Sequence, residues 1–273
     1  MVSRRIDFRG SWALVTGASS GIGEEFARKL AERGANLLLV ARSREPLERL
    51  GGDLSRVNGI EARPLVVDLS TPDGPSSLLA ELAATGIFVE HLVNNAGFGS
   101  AGPFASLDAS REAAMVRLNV EAVVVLTRGL VERMVREGRG GVINVASTAA
   151  FQAVPYMATY GASKAFVLQF TLALAAELRG TGVRAMALCP GPVRTGFQKA
   201  AGIPGTGIRI AELSARKTVE HALRAYERGE PRFVPGFVNS VQGVASKLLP
   251  RFLIGWAVER AMQRMGRTGK PKD

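Results

Sequence analysis

Trp12-Ala-Leu-Val-Thr16 runs directly into Thr16-Gly-Ala-Ser-Ser-Gly-Ile-Gly23, and Phe26, Ala27, Leu30 and Ala31 then recur at helical spacing. An apolar strand, a glycine turn and a helix in that order make an anion-binding turn. Gly17 permits the tight bend, Gly21 lets a pyrophosphate come close to the backbone, and Gly23 lets the helix pack against the strand. The first N–H groups of the helix, which is expected to start at Gly23, lack intrahelical acceptors and can receive the anion, with Ile22 in the same turn. Ser19 and Ser20 add hydroxyls to the same loop.

Outward from this turn the same alternation repeats. Strands are predicted at 35–40, 62–67, 89–93, 142–145 and 183–188, with helices at 23–33, 44–57, 77–84, 106–136 and 158–178 between them. Unbroken apolar runs such as Leu37-Leu-Leu-Val40 suit strands buried on both faces of a parallel sheet. The fold class is therefore α/β, a Rossmann-type doubly wound parallel sheet in a single domain. After Pro190, repeated Gly and Pro predict a long loop, of the kind that carries function in compact enzymes. A helix at 211–228, a strand at 232–235 and a C-terminal helix at 251–265 complete the pattern. The boundaries drawn are a catalytic domain over residues 1–240 and a helical, basic extension over 241–273.

At 273 residues, 47% hydrophobic and 22% charged, the chain has ample material for one buried core. No apolar run reaches the roughly 18 to 20 residues of a membrane span, and no signal peptide pattern opens it. One cysteine, Cys189, and two histidines, His91 and His221, leave no disulfide and no ordinary zinc site, so no metal is expected. These features suit a reducing cytoplasm. Net charge is +11, which invites an anionic partner, but no zinc finger, basic heptad or aromatic-interleaved basic strand accompanies it, so nucleic acid is not expected. The final segment, 244–273, concentrates the excess, with seven Lys/Arg against Glu259 and Asp273.

Further motifs follow in order: Asn94-Asn95-Ala96-Gly97 after the fourth strand, Asn119 in the next helix, Ser147 ending the fifth strand, Tyr160-Gly-Ala-Ser-Lys164, and Pro190-Gly191 with Val193 and Thr195 behind it. Together with Thr16 to Gly23, this series resembles the short-chain dehydrogenase/reductase family over about residues 8 to 240. The resemblance implies a nicotinamide cofactor held by the glycine turn, by Asn95, Ala96 and Gly97, by Tyr160 and Lys164, and by Pro190, Gly191, Val193 and Thr195. It further implies that Lys164 holds the nicotinamide ribose and that Asn119 supports a water chain relaying protons to that lysine. A homodimer or homotetramer is the expected assembly.

The chemistry of Asn119, Ser147, Tyr160 and Lys164 stands beside that resemblance. Tyr160 and Lys164, four apart on a helix, share one face. A phenol with an ordinary pKa of about 10 exchanges protons poorly at neutral pH, but a nearby ammonium and an oxidised nicotinamide both favour phenolate. Tyr160 can then act as general acid in reduction and base in oxidation, while the Ser147 hydroxyl bonds the substrate oxygen as it gains charge. At the end of strand two, Ala41-Arg42 replaces the acidic residue that would bond a ribose 2′-OH; an arginine there accommodates a 2′-phosphate, so NADP(H) is the expected cofactor. The alternative for Arg42 is a solvated charge at a helix start. Asp68 matches a family position that bonds the adenine amino group, and it equally suits an N-cap.

Ala149, Phe151, Val154 and Met157 beside the serine, and Phe197, Ile203 and Ile208 in the long loop, are apolar. They favour a lipophilic ketone or alcohol, an acyl chain or steroid-like skeleton, over a polyol. A non-catalytic NADP-binding sensor or scaffold on the same fold is the alternative function. In the C-terminal helix Leu253, Ala257, Ala261 and Met265 form one row and Ile254, Val258 and Met262 the next. Such a helix fits a pocket cap, a subunit interface or peripheral contact with an anionic membrane.

Overall fold

The computed structural model describes residues 6–193, 214–236 and 260. A seven-stranded sheet, every neighbouring pair parallel, has the order β3-β2-β1-β4-β5-β6-β7. Its strands are β1 (Trp12–Thr16), β2 (Asn36–Ala41), β3 (Ala62–Val66), β4 (Val89–Asn94), β5 (Gly140–Val145), β6 (Val183–Leu188) and β7 (Arg232–Phe233). The chain winds outward from β1 to β3, returns to β4 and winds the other way. Strand order thus reverses between β1 and β4, which opens a crevice at their C-terminal ends.

Alternation along each strand sends side chains to two buried layers. Ala13, Val15, Leu37 and Leu39 pack on one face against α1 (Gly21–Ala31), α2 (Arg44–Asn58) and the helix over Ala215–Glu227. Leu14, Leu38, Val40 and Leu92 pack on the other against the helix over Gly74–Thr85 and those crossing above β4 and β5. Fully burying each such leucine contributes about 1.5 to 3 kcal/mol relative to exposure, and both faces of the sheet are covered in this way.

Numbered on from α1 and α2, the helices are α3 (Gly74–Thr85), α4 (Ala109–Val116), α5 (Ala122–Glu137), α6 (Ala158–Glu177) and α7 (Ala215–Glu227). Strands β1 and β6 match their sequence expectation residue for residue, and α6 falls one residue short of its predicted end. Helix α3 starts three residues early, at Gly74, which packs so closely that a Cβ there would stand 2.1 Å from Asp68 O. The single helix expected over 106–136 is instead segmented. Asp108 accepts from Ser110 N and Arg111 N and so starts α4 at Ala109, and Arg117–Glu121 form a π turn before α5. Gly138, in the left-handed conformation, ends α5.

The expected stretches 194–213 and 251–265 lie, residue 260 apart, outside the described residues. Among those described, no helix is long and apolar enough to cross a membrane, and no cluster of three His, Cys, Asp or Glu could hold a metal.

Candidate active site

The glycine turn leaves β1 at the crevice. Gly17 and Gly21 have φ of +66° and +61°, a backbone that L side chains rarely adopt. A Cβ on Gly23 would stand 2.2 Å from Gly17 O and 2.4 Å from Asn95 Nδ2, so only glycine fits beneath the turn. Helix α1 begins at Gly21, two residues earlier than expected, and Ser20 occupies its N-cap without a side-chain capping bond. The first-turn N–H groups of Gly21, Ile22 and Gly23 therefore face the crevice end with no side chain spent on them, and Ser19 sits part-buried beside them. A cradle of bare backbone at a helix N-terminus fits the pyrophosphate of a dinucleotide.

Asn95 and Ala96 hold this cradle from below. Asn95 Nδ2 donates to Thr16 O at 2.9 Å and to Gly17 O at 3.3 Å. The backbone N–H groups of Asn95 and Ala96 both donate to Thr16 Oγ1 at 2.9 Å, and Thr16 Oγ1 donates to Val93 O at 3.3 Å. Their polar groups thus stitch the end of β4 to the end of β1, a positioning task that the motif alone did not reveal.

Asn119 projects from the π turn, where an extra residue per turn marks many functional helix sites. It is buried, its Oδ1 accepts from Phe98 N, and its Nδ2 donates to Phe98 O and to Ser163 Oγ at 3.1 Å. Ser163 Oγ in turn donates to Tyr160 O at 2.8 Å. Gly97 lies between these groups and Lys164: a Cβ there would meet Asn119 Oδ1 at 2.9 Å and Lys164 Nζ at 3.4 Å.

On α6, Tyr160 and Lys164 face the end of β5. Lys164 Nζ donates to Val145 O at 2.8 Å and stands 5.9 Å from the Tyr160 ring centroid. Burial pulls the Lys164 ammonium down to about 8. Burial also pushes the Tyr160 phenol above its ordinary value, while a hydrogen bond with Ser147 pulls it partway back. Desolvation of the phenolate is the larger of these two influences on Tyr160. Ser147 ends the β5 segment, its Oγ accepting from Ala149 N at 3.1 Å as the cap of a short 3-10 turn. Asn119, Ser147, Tyr160 and Lys164 are brought together at the C-terminal edge of the sheet, beyond the end of β5.

At the rim, Ala41 is buried and the exposed Arg42 guanidinium stands 3.9 Å from the Asp68 carboxylate. Asp68 Oδ1 accepts from Ser70 N at 2.9 Å and Ser70 Oγ at 2.6 Å. Burial would raise its pKa, but these bonds and Arg42 together hold it below the usual carboxylate range. Pro190 O accepts from Thr148 N at 2.9 Å, tying the segment after β6 to the serine turn, and Val193 is buried. Gly191 follows Pro190 at the same edge, whereas Thr195 lies outside the described residues.

A polar network beneath the site joins Asn94 of the Asn94-Asn95-Ala96-Gly97 motif to residues outside any motif. Asn94 Nδ2 donates to Asn144 Oδ1 at 2.9 Å and to Thr127 Oγ1 at 3.1 Å, and Asn144 Nδ2 donates to Thr171 Oγ1 at 2.9 Å. These buried partners cross from β4 through β5 to α6 and fix the platform under Ser147 and Lys164. Polar residues inside the apolar runs Val89–Asn94 and Val142-Ile-Asn-Val145 were the available signal. Cys189 is buried and its thiol is pushed up to about 12, so it is a core residue without nucleophilic character.

A phosphate cradle at the β1–β4 reversal, with a phenol, an ammonium and a hydroxyl beyond it, is the arrangement of a dinucleotide-binding site. The chain belongs to the short-chain dehydrogenase family, whose sequence profile matches residues 11–203. It is 36% identical over 196 residues to a very-long-chain 3-oxoacyl-CoA reductase of Phaeosphaeria nodorum, covering 70% of this chain and 57% of that protein. The chain thus spans little more than half the length of that relative. Among solved structures it resembles a short-chain dehydrogenase from Sphingobium yanoikuyae in complex with NADPH, with a TM-score of 0.79, 30% identity and coverage of 87% and 94% of the two chains. It also resembles a 7beta-hydroxysteroid dehydrogenase, with a TM-score of 0.84, 26% identity and coverage of 92% and 98%. The short-chain dehydrogenase family uses a nicotinamide cofactor.

Proposed function

We propose that the protein is an NADPH-dependent reductase of lipophilic ketones, with residues 1–240 as the catalytic unit. The observation that carries this reading is the buried Tyr160, hydrogen-bonded with Ser147 and backed by Lys164. Arg42 at the end of β2, where Ala41 replaces an acid, supports the 2′-phosphate form. The apolar surroundings of Tyr160, formed by Met115, Met157, Phe98 and Val154, support an acyl chain or ring skeleton. The names of relatives that reduce 3-oxoacyl chains and oxidise hydroxysteroids agree with that class.

When bound, the nicotinamide dinucleotide supplies the hydride that reduces the carbonyl carbon. Gly17, Gly21 and Gly23 leave room for its pyrophosphate at the N-terminus of α1, and Arg42 and Asp68 take its adenosine end. Ser147 donates to the carbonyl oxygen as negative charge builds there. Tyr160 Oη gives its proton to that oxygen, and the phenolate left behind is stabilised by the Lys164 ammonium across the shared face of α6. Desolvation holds the phenol protonated until then, which suits a general acid in the reducing direction. Asn119 fixes Phe98 and Ser163, and through them the positions of Gly97 and Tyr160.

The test is NADPH oxidation by the full chain with 3-oxoacyl thioesters, bulky aryl ketones and steroidal ketones, each repeated with NADH. Turnover with at least one of these and a preference for NADPH are expected. A chain that oxidises NADPH with none of them, yet binds it, overturns the reductase reading in favour of a cofactor-binding sensor.

A further inference from the structure

Tyr156, four residues before Tyr160, is the one residue other than glycine with a positive φ among the described residues, at +66°. Glycine, asparagine or aspartate take that backbone readily, whereas a bulky aromatic is strained in it. Such strain persists where the surroundings over-determine it, and it clusters where a side chain must face a ligand. The surroundings here are specific. Tyr156 O accepts from Gly102 N at 2.9 Å, which joins the turn before α6 to the loop after β4. On either side, Met157 N donates to Val154 O at 3.1 Å and Gly161 N to Met157 O at 2.9 Å.

The left-handed turn puts the ring part-buried against the cluster of Met115, Met157 and Tyr160, with Phe98 and Val154 around it. Its hydroxyl takes no hydrogen bond among the described residues. Packing alone would be served as well by phenylalanine or leucine. The phenol is therefore a donor left open beside the proton-donating tyrosine.

We propose that Tyr156 is a specificity-determining residue of the substrate pocket. Its ring covers the apolar body of the ketone, and its hydroxyl donates to a second acceptor near the reacting carbonyl, such as a thioester or ester oxygen. This rests on the reductase reading above and narrows its substrate class to lipophilic ketones that carry such an acceptor.

The experiment compares wild type, Tyr156→Phe, Tyr156→Ala and Tyr156→Gly as full chains. Each is assayed with NADPH and two ketones of matched length, a 3-oxoacyl thioester and a simple alkanone, and each is melted. Tyr156→Phe is expected to raise KM for the 3-oxoacyl thioester about three- to tenfold, the weight of one neutral hydrogen bond, with kcat and the alkanone unchanged. Tyr156→Ala and Tyr156→Gly are expected to raise KM for both ketones, and the glycine variant is expected to melt above the alanine variant because it alone relieves the backbone. Equal kinetics of wild type and Tyr156→Phe on both ketones, with an alanine variant that keeps wild-type KM, overturn the proposal. A wild type that turns over neither ketone overturns this proposal, while turnover of aryl or steroidal ketones by the same preparation leaves the reductase reading standing.

Discussion

Asn119 holds Phe98 by both of its backbone polar groups, accepting from Phe98 N at 3.2 Å and donating to Phe98 O at 3.0 Å. One side-chain amide thereby acts as a strand partner for a loop, and the loop places Gly97 within contact distance of Lys164. The spacing leaves no room for a methyl group.

Gly97→Ala is accordingly expected to displace Asn119 or Lys164, costing about 1 to 3 kcal/mol as an overpacked site and lowering turnover more than stability predicts. Gly52→Ala is the matched control, since a Cβ at that exposed position on α2 meets nothing within 4 Å. It should leave turnover unchanged and stabilise by about 0.5 to 1 kcal/mol as a helix-interior exchange. Thermal melts and steady-state rates on both variants check the pair.

Tyr160→Phe removes the transferable proton and little else. Turnover is expected to fall by about 10² or more, while cofactor affinity by fluorescence titration stays close to wild type. A variant with native turnover would remove Tyr160 from the chemistry.

For Arg42→Ala, loss of a charge-assisted contact with a 2′-phosphate should cost roughly 1.5 to 3 kcal/mol, about ten- to a hundredfold in NADPH affinity. NADH affinity should barely move, because the guanidinium is exposed and leaves only a 3.9 Å approach to Asp68 behind. Paired titrations decide it, and equal wild-type affinity for the two cofactors would defeat the assignment.

His91 supplies a pH prediction away from the site. Its ring is buried between Phe8 and Tyr226, with Nδ1 3.1 Å from Tyr226 Oη, and burial pulls its pKa down to about 3. An unfolded chain binds a proton at His91 near 6.5 and the folded chain does not until about 3, so the unfolded state holds more protons in that window. Stability present above pH 6.5 is therefore lost progressively as pH falls towards 3. His91→Asn, which retains a polar atom near Tyr226 but does not titrate, should flatten the decline in melting temperature between pH 7 and pH 4.5. An unchanged slope would assign that decline to other groups.

Parts of the fold were legible because two of its strands are apolar runs closed by glycine or proline. Val183–Leu188 ends at Cys189-Pro190, and Trp12–Thr16 ends at Gly17, so their limits could be read directly. The segmentation between 104 and 137 was not legible, because the π turn preserves an apolar periodicity on both sides while shifting its phase. Asn119, Ser147, Tyr160 and Lys164 were identifiable from motif spacing and do meet at the C-terminal edge of the sheet. Partners were harder: nothing in the sequence paired Asn94 with Asn144 and Thr127, or sent Asn95 beneath the turn instead of towards it. The left-handed backbone of Tyr156 was hidden for a similar reason, since Pro155-Tyr156 marks a bend without fixing its dihedrals.

The π turn at Arg117–Glu121 closes with Ala122 N donating to Arg117 O, one residue more than an α-helical turn contains. That surplus residue rotates α5 by about 100° relative to α4, so the two helices behave as one shaft with two keyways. Met115 on the first half is keyed to Tyr160, and Ala122, Val123 and Leu126 on the second are keyed to the core. Removing a single residue between 117 and 121 would restore a smooth helix and throw one keyway out of phase with the other. Chimeras built by exchanging segments with relatives can therefore cross over within this stretch only where the residue count is conserved; the identity of most side chains there matters less than their number.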